Sequence, residues 1–104
     1  MAQFDIHRNP NPAARRHAPF IVNLQSDHLE HLATRLCAPA KSRKASSTPI
    51  AGLMPEIEID GERYVVFMQE TAAVPAAVLG LTIASVALNR FQLIAAIDLL
   101  FSGI

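Results

Sequence analysis

Glu56-Ile57-Glu58-Ile59-Asp60-Gly61-Glu62-Arg63-Tyr64-Val65-Val66-Phe67-Met68 holds two strand-like runs on either side of a central Asp-Gly. Asp and Gly both tolerate the positive φ of a type I′ turn, whose twist suits two paired strands, so the stretch predicts a tight β-hairpin. Glu alternating with Ile puts one face of the first run in water. Val65 to Met68 is apolar on both faces, which predicts a central strand covered from two sides. A fold organised around such a strand is mainly β.

Upstream, Phe20-Ile21-Val22-Asn23-Leu24 reads as a strand on its β-branched and aromatic content, and Gln25-Ser26-Asp27 as the turn that follows it. Gln3 to Ile6 alternates polar and apolar residues, with Phe4 and Ile6 on one face, as a half-buried strand does. Asn9-Pro10-Asn11-Pro12 ends it, and Ala13 to His17 is expected as an exposed, mobile basic loop tip. A short strand around Arg35-Leu36-Cys37-Ala38 is expected to stop near Pro39. From Lys41 to Pro49 the chain is basic and rich in Ser and Thr without apolar period, which predicts a solvent-exposed loop. Its cations Lys41, Arg43 and Lys44 suit phosphate or an acidic peptide, but no Gly-rich cradle accompanies them and no nucleotide site is assigned.

Downstream, Val74 to Gly80 continues as extended structure, with Pro75 placing it at an edge or bend. Thr71 to Asn89 carries no formal charge, yet its Pro75, Gly80 and many alanines make it a poor membrane span. From about Ala84 to Phe101 the period becomes helical, with Val86, Phe91, Ile94, Ile97 and Phe101 near one face and Leu93 and Leu100 close to it. Only Arg90 and Asp98 are charged across this helix, so much of its circumference needs cover, either from its own barrel or from a second copy of the chain.

At 104 residues the chain is expected to form one domain, residues 1–104. Its formal net charge of +0 argues against a protein that coats nucleic acid, since such binding neutralises phosphates with many Lys and Arg. The balance hides an asymmetry: residues 1–52 carry seven basic and three acidic side chains, residues 53–104 two and six. All four histidines also lie in the first half, which suits an acidic partner. The lone Cys37, between Leu36 and Ala38, reads as a small buried side chain, and with no signal-peptide core at the N-terminus the expected location is cytoplasmic. His28 and His31 lack a third ligand, and Gly52, Gly61, Gly80 and Gly103 are too scattered for a phosphate loop, so no metal and no cofactor are expected. Arg35 with Glu70 or His28 is the acid–base set that RNA cleavage would use, though nothing in the spacing singles them out.

Taken in order, Gln3-Phe4, Phe20 to Asp27, Thr34-Arg35-Leu36 to Pro39, Ile57-Glu58-Ile59-Asp60-Gly61, Val74-Pro75 and the closing Ile97-Asp98-Leu99-Leu100-Phe101-Ser102-Gly103-Ile104 resemble the CcdB family, the toxins of CcdA/CcdB toxin–antitoxin systems. The resemblance implies an SH3-like small β-barrel with an additional small antiparallel sheet and a C-terminal α-helix, working as a homodimer. It also implies a toxin that is not an enzyme: it binds the A subunit of DNA gyrase, traps the gyrase–DNA cleavage complex, meets DNA only through gyrase, and is neutralised by a CcdA-like antitoxin with a disordered tail. Two other readings of the same fold are a MazF-like ribonuclease toxin and a domesticated, non-toxic relative that still binds antitoxin.

By resemblance the gyrase-binding residues are Ser26, His28 and Leu29 in the turn after the second strand, and Asp98, Phe101, Ser102, Gly103 and Ile104 at the chain's end. A plasmid-borne member of the family has tryptophan where this chain has Ser102. Losing an aromatic anchor of that kind costs about 2 kcal/mol or more, roughly thirtyfold in affinity. For an acidic antitoxin tail, charge alone selects Arg15, Arg16, Lys41, Arg43 and Lys44.

Overall fold

The computed structural model describes residues 2–45 and 47–103. In chain order these form β1 (Asp5–Arg8), β2 (Phe20–Asn23), β3 (Thr34–Ser42), β4 (Glu56–Ile59), β5 (Glu62–Val66), β6 (Ala72–Pro75), β7 (Thr82–Ser85) and the helix α1 (Arg90–Ser102). The Asp-Gly signal has its expected effect: Asp60 (φ 51°) and Gly61 (φ 81°) are both left-handed, and Ile59 pairs directly with Glu62. Along β4, Ile57 and Ile59 point into the core and Glu58 faces solvent. β5 lies between β4 and β3, and Val65 and Val66 are fully buried.

β3 organises the rest. It pairs with β2 through Cys37 to Ala40, while its other edge changes partner along its length, taking β6 at Thr34 to Cys37 and β5 at Ala40 to Ser42. The strand therefore runs through Pro39 and does not stop there. Pro39 is tolerated because its carbonyl accepts from Phe67 N (2.9 Å), which aims the missing N–H toward the same side, at the junction between β6 and β5. Beyond β2 the sheet continues to β1 and then β7, all antiparallel. The whole curls into one antiparallel half-barrel sheet, in which the expected additional small sheet is continuous with the rest because β5 pairs with β3, and α1 closes its core. Leu93 and Ala96 are fully buried against Phe4, Ile6, Val22 and Met68, with Ile94, Ile97 and Leu100 packed around them.

Several expectations shift. The first strand begins at Asp5, because Phe4 adopts a left-handed φ of 69° that no strand accommodates. Lys41 and Ser42 belong to β3, so the basic loop starts only at Arg43. Ala76 to Val78 form a 3-10 turn instead of continuing the strand. The helix starts at Arg90, not Ala84, since Thr82 to Ser85 pair with β1 as β7, with a bulge at Ile6/His7. Its buried face differs in part: Val86 is buried and Ile94, Ile97 and Leu100 pack on the core around the fully buried Leu93 and Ala96, but Phe91 and Phe101 are 86% and 70% exposed. Apolar residues lie almost all round this helix, so the sequence period alone leaves its orientation undetermined. Among the described residues no helix is long and apolar enough to cross a membrane, and the uncharged stretch from Thr71 divides into β6, β7 and short 3-10 turns.

Cys37 is 2% exposed, and burial pushes its thiol from 9.0 up to about 11, against an opposing pull from the Arg35 charge. The unfolded thiol loses its proton first, so this group's contribution to stability falls as the pH rises from about 9 toward about 11. Urea melts across that range should show the loss, and Cys37→Ala should flatten it. At Gly61 a Cβ would meet nothing within 4 Å, so substitution there tests backbone conformation alone. Gly61→Val should lower unfolding free energy by about 1–3 kcal/mol in chemical denaturation, and Gly61→Asn by distinctly less.

Candidate functional site

The outward face of α1 carries Phe91, Gln92, Ala95, Asp98, Phe101 and Ser102, opposite the buried Leu93 and Ala96. The helix ends in a left-handed cap: Gly103 has φ 74° and its N–H donates to Leu99 O at 3.0 Å. Ser102 Oγ folds back and donates to Asp98 O at 2.7 Å. Asp98, Phe101, Ser102 and Gly103 are thus gathered, exposed, on the last turns of the helix, while Ile104 lies outside the described residues.

Ser26 caps a single 3-10 turn, Asp27–Leu29, its Oγ accepting from His28 N at 3.2 Å. His28 and Leu29 are exposed. The turn is moored through Gln3, whose N–H donates to Asp27 Oδ1 (2.8 Å) and whose Oε1 accepts from Arg90 Nη1 (3.3 Å). Its anchor is therefore the first residue of α1, about 18 Å of helix rise from Ser102. Within one chain the seven of these residues that are described form two separate patches.

The five cations selected on charge also divide. Arg16 and Lys41 share a cavity of about 330 Å³ with His17, Ser47 and Phe67, Lys41 Nζ lying 4.1 Å from the Phe67 ring centroid and 3.1 Å from Glu70 Oε1. Arg43 and Lys44 line another, of about 280 Å³, with Glu62 and Arg63 of the hairpin. There Glu56 receives Arg43 at 2.7 Å and Arg63 at 3.3 Å. Arg15 faces a third hollow beside Arg8. Phe67 and Arg63 join these surfaces through strand pairing, which charge runs in the sequence do not reveal.

Of the acid–base set for RNA cleavage, Arg35 and Glu70 are each engaged elsewhere. Arg35 is 7% exposed and its guanidinium donates to the carbonyls of Glu30, Leu32 and Thr34, while Glu70 is paired with Lys41. Arg35 holds the turn before β3 in place.

No curated protein matches the sequence. The family model described as CcdB protein matches residues 3–103. That span takes in every strand and the whole of α1, and on its strength the chain belongs to the CcdB family.

Proposed function

We propose that this toxin of the CcdB type acts as a homodimer that binds the A subunit of DNA gyrase, traps the enzyme on cleaved DNA without itself catalysing a reaction, and is neutralised in the cytoplasm by a CcdA-like antitoxin. The observation that carries this reading is the end of α1. Phe101 is 70% exposed although it is a large apolar side chain, and it stands beside Asp98, Ser102 and Gly103 in a chain matched to the family over residues 3–103. Exposed aromatics at a rigid helix end are typical interface anchors.

Dimerisation supplies what one chain lacks. Leu88, Phe91 and Phe101 are all left largely in solvent, and a second copy covers apolar surface of this kind while bringing two helix ends to one target. The Ser26–Leu29 patch, moored at the far end of α1, joins the same surface across the partner subunit. The basic residues Arg15, Arg16, Lys41, Arg43 and Lys44 serve the antitoxin, whose acidic tail they attract over distances set by salt.

Titrating the purified protein into gyrase, supercoiled plasmid and ATP, then denaturing, should yield linear DNA in proportion to the protein added. Deleting Gly103 and Ile104 should abolish it, and Ser102→Trp should lower the concentration needed by about thirtyfold, the worth of one aromatic anchor. No linear DNA with gyrase of the source organism, at concentrations well above those that saturate antitoxin, sinks the poison reading.

A further inference from the structure

β7 is an outer strand of the sheet, paired with β1 on one side and with no strand on the other among the described residues. Soluble proteins guard such edges with charge, proline or cover, because their free N–H and C=O groups invite another strand. The edge at the opposite end, β4, carries Glu56 and Glu58, and β6 ends on Pro75. β7 reads Thr82-Ile83-Ala84-Ser85, with neither charge nor proline.

The surroundings of this edge are specific. Val78, Leu81 and Ile83 are 51%, 90% and 44% exposed. They line a hollow of about 330 Å³ together with Arg8 and Arg15. Arg15 is held by its Nε, which donates to Asn9 O at 2.6 Å, and among the described residues no carboxylate pairs with either arginine. The nearest acid on β1, Asp5, is 9% exposed and already accepts from Ala2 N and Thr82 Oγ1. Below the hollow the fully buried His7 places Nδ1 3.0 Å from Gly80 O, which fixes the chain as it enters β7.

We propose that the β7 edge takes up an extended, acidic peptide segment as an added strand, its apolar side chains on Val78, Leu81 and Ile83 and its carboxylates on Arg8 and Arg15. The occupant is a segment of the antitoxin, so the inference rests on the antitoxin reading and locates its contact. Charge decides against a second copy paired edge to edge: from Thr71 to Asn89 the chain has no charged residue, so a symmetric β7 pair brings no carboxylate to the arginines.

The test uses labelled peptides tiled across the antitoxin encoded beside the toxin, titrated by fluorescence polarisation against the full-length protein, with amide hydrogen exchange on the best binder. One acidic, apolar-alternating peptide should bind and protect the amides of residues 82–85. Arg8→Glu combined with Arg15→Glu should weaken it at least tenfold, as should Leu81→Asp, with circular dichroism unchanged and gyrase trapping retained. Equal binding to wild type and variants, or protection confined to other strands, overturns the edge while leaving neutralisation intact. Failure of intact antitoxin to bind wild-type protein overturns both. Protection of residues 82–85 that rises with toxin concentration alone assigns the edge to a second copy and also overturns the proposal.

Discussion

Phe4 is the residue on which the arrangement turns. Its N–H donates to Asn23 O at 2.6 Å and its carbonyl accepts from Val86 N at 2.9 Å, so one residue ties the end of β2 to the approach to α1. A bulky side chain at φ 69° is strained by about 1–3 kcal/mol and persists only where the surroundings over-determine it. Here the ring is 1% exposed in the centre of the core, with the Arg90 guanidinium 5.7 Å from its centroid. The neighbours on either side inherit their positions: Gln3 reaches the Ser26–Leu29 turn and Arg90, and Asp5 reaches Thr82 on β7. Both proposed working surfaces are thus referred to the same few residues at the start of the chain.

Those surfaces are built on opposite principles. The end of α1 presents side chains from a rigid element, with its backbone closed off by the Gly103 cap, so the recognition proposed there would depend on shape and on Phe101. The β7 edge presents backbone, and its side chains only select which strand is accepted. The turn that carries Arg15 and Arg16 stands between two hollows, with Arg15 facing β7 and Arg16 facing Lys41 and Phe67. The acidic antitoxin segment of the proposal would therefore meet cations on two adjoining surfaces, which favours capture before docking.

Much of this was legible in the sequence where one local rule dominates. Asp60-Gly61 specifies its turn through positive φ, Phe20 to Asn23 through β-branched content, and the C-terminal helix through period. β6 and β7 were obscured because alanine-rich, uncharged segments satisfy no period clearly, and pairing with β3 and β1 decides their state. The orientation of α1 was lost for a related reason, since Phe91 and Leu93 are equally apolar and only the core distinguishes them. The proposed gyrase-contact set rests on the family resemblance alone. The separation of Lys41 from Arg43 and Lys44 follows from where β3 ends, which charge alone cannot reveal.

Pro39 sits where one strand passes from β6 to β5, with its donorless nitrogen at the gap between them. A slip of β3 by two residues against either neighbour would preserve the inside–outside alternation, so hydrophobic burial alone would not reject it. It would, however, carry the donorless nitrogen from the end of the β5 ladder, opposite Phe67, into the interior of a ladder and strand a carbonyl of the neighbouring strand without a partner inside the sheet. The proline thereby penalises misregistered pairings at the strand that takes β2 on one edge and both β6 and β5 on the other.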